Sequence, residues 1–483
     1  MVLRVAVSSE KLPVMKFCRS LRVVGVLAWL ALAWGLRAGQ PLWKAGVAKA
    51  DITPTQPLWA AGYGSRTNPA DGQFTALWVK ALALEDGEGH RGVILTSDLL
   101  GIPQSIYLHT CAALKQRFGL TPDQVILSAS HTHCAPVLRG ALYDIYPFDD
   151  SALPGIENYS VELETKIVDT IGRAFADLSP ARLAAGQGMA AFAVNRRNNL
   201  EAEVPKLIAE GALKGPVDHA VPVLAVYRAE GPLKAVLFGY ACHNTVMDFC
   251  KWSGDYAGIA QIALERSHPG ATAMFFMGCG GDQNPLPRRE LFLAERYGEM
   301  LAAAVEEVLL APPRTLPPEL RTTMETITLP LGPSPTQAEL EAFKTADSPP
   351  TRRWAGRLLA QLKEGKPFIR DYPYPLQAWQ LGGRQLLITL GGEPVVDYSL
   401  RFKQRFGPQT WVAGYCNDVM TYIPSARVLK EDKPPLANNR WGYEGARAMQ
   451  VYGLPAFRWA DDVEDLINGA AERVVARART APP

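Results

Sequence analysis

Seven histidines in 483 residues leave few imidazoles for chemistry, and three of them stand directly after apolar runs. His131 and His133 lie in Ser128-Ala-Ser-His-Thr-His-Cys-Ala-Pro136, and His243 follows Val236-Leu-Phe-Gly-Tyr-Ala-Cys. Histidines at i and i+2 of an extended segment project to one side. Two such imidazoles at a strand's end supply half of a metal site, or a ligand beside a proton carrier. Glu393, in Gly391-Gly-Glu-Pro394, stands after another apolar run, where a carboxylate ligand belongs. Gly278-Cys-Gly-Gly-Asp282-Gln-Asn-Pro285 has glycines that let backbone approach a partner closely, and Asp282 can orient a histidine or hold a turn. That run lacks the G-K-[ST] of a phosphate loop. Ser253-Gly-Asp255 reads as a turn into a helix, and Gly414-Tyr-Cys-Asn-Asp418 and Tyr422-Ile-Pro add two tyrosines. His90, His109, His219 and His268 sit in loop-like or helical contexts that point to structural or exposed roles.

Polar residues thus gather at the C-terminal ends of apolar runs, the edge at which open α/β sheets build their sites. Apolar runs at 77–84, 93–96, 124–129, 221–226, 235–241, 273–277 and 385–390 predict buried strands. Helical patterns fall at 160–178, 257–266, 290–310, 338–362 and 462–479. Strands interleaved with helices make this an α/β fold of mixed β-sheets with surrounding helices. No internal repeat or internal domain boundary is visible, so residues 39–483 read as one large domain with a helical insertion at about 336–366. Pro-rich stretches at 312–318 and 330–335 read as surface connections.

The ordered motifs resemble the neutral/alkaline non-lysosomal ceramidases, specifically their N-terminal catalytic domain. Ala45-Gly-Val-Ala-Lys-Ala-Asp51-Ile-Thr-Pro54 is similar to that family's first strand signature, and Ala61-Gly-Tyr-Gly64 to its next loop. His131-Thr-His133, His243, Ser253-Gly-Asp-Tyr, Gly281-Asp282, Gly392-Glu393 and Tyr443-Glu-Gly445 follow in the family's order. The resemblance implies one Zn2+ held by His131, His243, Glu393 and Tyr422, with Tyr415 the alternative fourth ligand. It implies His133 as proton donor to a leaving amine, and Arg196 and Tyr443 beside the developing anion. Zinc would activate water against an amide carbonyl. Two departures stand out. Asn284 occupies the place of a family serine assigned a nucleophilic role, which excludes a covalent serine route at this position and leaves the metal-water route. The family's C-terminal β-domain is expected to be absent. The resemblance therefore implies amide (N-acyl) hydrolysis of a small-molecule or lipid-like substrate more firmly than it implies ceramide. An ester or carbohydrate-linked substrate, favoured by the amides of Gln283 and Asn284, and a metal-retaining binding protein are the alternatives.

Composition bounds these readings. With 50 Lys+Arg against 48 Asp+Glu and 48% hydrophobic residues, a disordered chain, a collagenous chain, a disulfide mini-protein and a strongly basic nucleic-acid binder are all excluded. Residues 1–38 carry Arg4, Lys11, Lys16, Arg19, Arg22 and Arg37 against Glu10; taking this +5 from the chain's +2 leaves −3 for the rest. Lys16, Arg19 and Arg22 precede the apolar run VVGVLAWLALAW, too short to span a bilayer, and Ala38 is a small residue suited to cleavage. Residues 1–38 are therefore expected to be a signal peptide of an exported (periplasmic or secreted) protein with no stable membrane span. Six cysteines then remain, an even count that permits disulfides in an oxidising compartment. Terminal sequencing of the exported protein is expected to start just after Ala38; a mature chain that keeps residues 1–30 would contradict the cleavage.

Overall fold

A strand that is apolar on both faces must be covered on both sides, and this requirement organises the fold. The computed structural model describes residues 42–432 and 442–480; the expected signal segment, residues 1–38, lies outside the described residues. The strands are β1 Trp43–Asp51, β2 Trp78–Glu85, β3 Arg91–Ser97, β4 Val125–Ala129, β5 Ser179–Met189, β6 Ala193–Asn195, β7 Ala220–Arg228, β8 Leu233–Tyr240 and β9 Thr272–Met277. They continue as β10 Gln283–Pro285, β11 Arg314–Leu316, β12 Leu320–Pro330, β13 Asp371–Leu381, β14 Gln385–Leu390, β15 Glu393–Pro394, β16 Trp411–Ala413 and β17 Tyr422–Ile423.

The larger sheet runs β4-β3-β2-β1-β5-β7-β8-β9, with β11 added to β5. Its β3/β4 and β8/β9 pairs are parallel and its other pairs antiparallel. The second sheet runs β12-β13-β14-β16, and two short pairs, β6/β10 and β15/β17, stand apart. Side chains alternate along each strand. Leu82, Leu84, Ile94, Leu224, Leu237 and Phe276 meet Leu320, Trp379, Leu387 and Trp411 in a core between the sheets. The alternate residues Val79, Ala81, Val93 and Leu95 pack on Leu163, Ile167 and Ile171 of the helix Leu153–Ala176. Farther along the sheet, Val223, Val236 and Phe238 pack on Tyr256 and Leu264 of Asp255–Ser267 and on Leu301 of Leu291–Leu310. The outer face of the second sheet (Tyr374, Leu376, Ile388) is covered by Ile467, Ala471 and Val474 of Val463–Thr480. The result is four layers: helices, sheet, sheet, helix.

The structure corrects several sequence-based expectations. The single helical pattern over 338–362 is two helices, Gln337–Phe343 and Pro349–Lys363. Ser348 caps the second, and its leading prolines can begin a helix but not continue one. The stretch 312–318 contains β11, whose Leu316 is buried, so it is not a plain surface connection. The helix Gln104–Phe118 was not foreseen because its buried positions (Ile106, Tyr107, Thr110, Leu114) include a threonine and form a weak stripe. All six cysteines from Cys111 to Cys416 are unpaired. Among the described residues, no helix is long and apolar enough to cross a membrane.

Gly92 shows how closely the sheets meet: a Cβ there would lie 2.6 Å from the Trp379 ring. In urea titrations, Trp379→Ala is expected to cost about 3–5 kcal/mol and Gly92→Ala about 1–3 kcal/mol by overpacking. Losses below about 0.5 kcal/mol for both would contradict a tight inter-sheet core.

Candidate metal centre

Loops leaving β4, β8 and β14 carry the candidate residues. Beyond β4 the chain turns sharply: Ser130 N donates to Ser97 O at 2.8 Å and His131 N to Leu99 O at 2.9 Å. His131 has φ +60°, a left-handed conformation that histidine tolerates better than most residues. The His-x-His stretch is therefore not extended, and the period-two argument does not apply to it. The rings of His131 and His133 instead stand nearly perpendicular, 84° apart, with centroids at 4.9 Å. Thr132 forms a parallel bridge with Asn244, and His133 N donates to Asn244 O at 3.3 Å. The Asn244 side chain completes the lock: Nδ2 donates to Ser130 O, and Oδ1 accepts from Ala257 N at 3.2 Å. The residue next to His243 thus sets that histidine's loop against the His131 loop. Glu393 begins β15, directly opposite Tyr422 of β17.

These elements bring five candidate side chains together. His131 Nε2 and His243 Nε2 each lie 3.2 Å from the same oxygen, Glu393 Oε2, and the three side chains are each about 1% exposed. His133 Nε2 lies 3.2 Å from His131 Nε2, and ring nitrogens of the three histidines fall within 4.8 Å of one another. Tyr422 OH is 3.0 Å from His243 Nε2. The hydrogen-bond network assigns the tautomers. His131 Nδ1 faces Leu100 O at 2.6 Å and His243 Nδ1 faces Gly280 O at 2.7 Å; a carbonyl only accepts, so both Nδ1 atoms carry the proton. In the neutral rings both Nε2 lone pairs then point at a carboxylate that only accepts. Tyr422 OH can donate to His243 Nε2 and Tyr415 OH to Glu393 Oε2, but no proton lies along the two 3.2 Å nitrogen–oxygen contacts themselves. Opposed buried acceptors are costly, and a cation among them removes the conflict. The spacing also fits, because ligands at 2.0–2.1 Å in a tetrahedral shell lie about 3.3 Å apart.

Charge around the centre agrees. Burial, with the Arg196 guanidinium beside it, pushes His243 down to about 4, and burial with the two neighbouring imidazoles pushes His133 well below the usual histidine range. Burial would raise the Glu393 carboxyl, but His131 and His243 hold it well below the usual carboxylate range. The His243 imidazole and the Glu393 carboxylate are thus in the forms that bind metals. His133 differs from the other two: its Nδ1 has no partner, Tyr63 packs on its ring at 4.8 Å, and Gly62 leaves room that a Cβ, 2.3 Å from Nδ1, would fill.

Arg196 links this centre to a side cavity. Its Nη2 donates to Tyr422 OH at 3.1 Å, Nη1 to Asn284 Oδ1 at 3.2 Å and Nε to Glu444 at 2.8 Å. Asn284 lies on β10, paired with β6, which leads directly into Arg196. Tyr443 stacks edge-on against Tyr422 at 5.1 Å. Arg196, Asn284, Tyr443, Glu444, Leu286 and Arg288 line a cavity of about 300 Å³. Asp282 orients no histidine, and its carboxylate does not close a local turn; it ties its loop to two distant segments, accepting from Val396 N at 2.8 Å and Asn195 Nδ2 at 3.1 Å. The other four histidines pair elsewhere, His90 with Asp86, His109 with Glu164, His268 with Glu306, and His219 with Ala193 O.

Sequence reasoning missed three supporting groups. Asn244 directly follows His243 in the sequence, but its role needs the other loop to be visible. Glu444 lies between Arg196 and Arg197 and pairs with both, at 2.8 and 2.6 Å; an acid inside the Tyr443-Glu-Gly445 motif was the available signal. Tyr452 OH donates to Glu393 Oε1, and nothing in its local sequence marked it. Asn244→Ala is expected to lower the unfolding free energy by about 1–3 kcal/mol, since it leaves buried backbone groups without partners. An unchanged denaturation midpoint would contradict the proposed lock between the two histidine loops.

Residues 43–285 match the family model described as neutral/alkaline non-lysosomal ceramidase, N-terminal. A curated neutral ceramidase of Pseudomonas aeruginosa is 31% identical over 222 residues, 45% of this chain and 32% of that protein. Neutral ceramidase A of Dictyostelium discoideum is 29% identical over 213 residues, 40% of this chain and 28% of that protein. The match thus spans about a third of the length of these relatives. The fold resembles the crystal structure of the Pseudomonas aeruginosa neutral ceramidase with a TM-score of 0.65 at 22% identity, over 90% of this chain and 75% of that one. A ceramidase complexed with C2 aligns with the same TM-score at 20% identity, over 90% of this chain and 76% of that one. With half of its length matched by the family model and its motifs in the family's order, the chain belongs to the neutral/alkaline non-lysosomal ceramidases.

Proposed function

We propose that this chain is an exported, zinc-dependent hydrolase of amide (N-acyl) bonds acting on a small or lipid-like substrate. One observation carries the reading: two imidazoles, each fixed by an Nδ1 bond to a backbone carbonyl, turn their Nε2 atoms onto one buried carboxylate oxygen. Metal-binding histidines are held in this way, through the nitrogen that does not ligate. His131, His243 and Glu393 would hold the ion, with Tyr422 as the fourth group, and a His₂Glu set suits catalytic zinc. The bound ion would supply Lewis acidity, polarising an amide carbonyl and acidifying water to a pKa of about 7.

The remaining roles fall to the chain's own side chains. His133 has no backbone bond at Nδ1, so its ring is not committed to the tautomer of a ligand. Buried and neutral, it takes a proton at Nε2, the nitrogen facing the centre, and returns it to the leaving amine. Arg196 sets positive charge against Tyr422 and Asn284, and together with Tyr443 it supports an oxyanion at the carbonyl; one such donor contributes roughly 3 kcal/mol. Asn284 has no hydroxyl to acylate. With its oxygen taken by Arg196, its amide hydrogens serve substrate contact at the cavity. Export rests on the N-terminal pattern of charge, apolar run and small residue.

Purified protein is expected to carry about one zinc per chain and to cleave a fluorogenic N-acyl amide in a reaction that a chelator abolishes and zinc restores. His243→Ala is expected to lose the metal. His133→Ala is expected to keep it while kcat falls by about 10²–10⁴. Metal-free protein from zinc-replete cells, or full activity in His243→Ala, would refute the reading.

A further inference from the structure

A glutamate ligand can turn about its terminal torsion, which is soft and two-fold, so a carboxylate that must present one oxygen to two imidazoles needs a restraint. In this chain the restraint reaches the oxygen that faces away from the histidines. Tyr452 OH donates to Glu393 Oε1, while Oε2, the oxygen shared by His131 and His243, receives only the longer Tyr415 contact at 3.3 Å. Tyr452 follows the π-helix Tyr443–Arg447 and the short α-helix Ala448–Val451, and its ring lies 6.4 Å from that of Tyr422.

These short helical turns end just before Tyr452, and the next two residues are held from outside. Arg357 Nη2 donates to Gly453 O at 2.7 Å, and the fully buried Trp354 donates Nε1 to Leu454 O at 3.0 Å. Both belong to the helix Pro349–Lys363. Arg357 is itself fixed, by paired contacts of 2.9 and 2.6 Å with Asp144 Oδ2, and Phe343, Trp354 and Phe457 close a small aromatic cluster beneath. The helical segment 337–363, which has no motif of its own, thus grips the chain immediately after Tyr452.

We propose that Tyr452 is a positioning residue that fixes Glu393 as a one-oxygen ligand, and that the helical segment 337–363 is the buttress that keeps Tyr452 in place. The inference rests on the metal-centre reading above. Its test is metal affinity by chelator competition, together with the visible spectrum of the Co2+-loaded protein, which responds to carboxylate binding mode. Tyr452→Phe keeps the ring and removes the hydroxyl; it is expected to weaken Zn2+ binding about 10–100-fold and to shift the Co2+ bands. Combined with Glu393→Gln, the second change is expected to add much less than it does alone, because both act on one contact. Arg357→Gln, at a side chain 44% exposed and outside the hydrophobic core, is expected to weaken binding in the same direction by a smaller factor. Wild-type affinity and spectrum in Tyr452→Phe would overturn the positioning role, and wild-type affinity in Arg357→Gln would overturn the buttress. A wild-type protein that binds neither ion would bring down the metal-centre reading itself, and this proposal with it.

Discussion

Two imidazole lone pairs directed at one buried carboxylate oxygen are the arrangement on which the rest of the molecule depends. Left alone it is repulsive, because the Nδ1 protons are already committed to the carbonyls of Leu100 and Gly280. The chain must therefore hold the three groups in place by covalent geometry and packing. The left-handed turn at His131, the Thr132–Asn244 bridge and the β15/β17 pair do this, each within one or two residues of a candidate ligand. Local strain of this kind persists only where surrounding structure over-determines it. Here that surrounding is a four-layer body in which helices pack on the outer face of each sheet and the inner faces meet in a common core.

The layers also explain why the candidate ligands come from distant parts of the sequence. β4 lies at one end of the larger sheet and β8 near the other, while β14 belongs to the second sheet. Their loops meet because the inter-sheet core holds the sheets face to face and because short bridges tie loop to loop. Gly278 pairs with Ala413, and Ser128 with Cys416. Arg196 and Glu444 extend the same logic outward, joining Tyr422 to the cavity beside it.

Much of this was legible in the sequence where the signal was local. Continuous apolar runs marked β3, β4, β7, β8, β9 and β14 because both strand faces are covered. The placement of His131, His243 and Glu393 after such runs pointed to a common site, although not to one sheet edge, since β14 lies in the second sheet. What failed was what depends on distant partners. Period-two reasoning on His131 and His133 assumed an extended backbone, and the left-handed His131 removes that premise. Disulfides were permitted by counting, yet all six described cysteines are unpaired, Cys134 and Cys242 included although they share one core. Tyr452 and Asn244 act only through residues that come together in three dimensions, and the helices of 337–363 carry no chemistry that a motif search would register. Asn284 was legible as a departure from the family pattern, and its contact with Arg196 shows an amide oxygen engaged there.

The central claim is that two histidines and one carboxylate oxygen hold the ion while the third histidine stays free to carry a proton. Anomalous diffraction at the zinc absorption edge, on crystals of the protein as purified, tests this most directly. The account predicts one peak about 2.0–2.3 Å from His131 Nε2, His243 Nε2 and a Glu393 oxygen, with His133 outside bonding distance. No peak among these side chains, or a peak bonded to all three histidines, would contradict it.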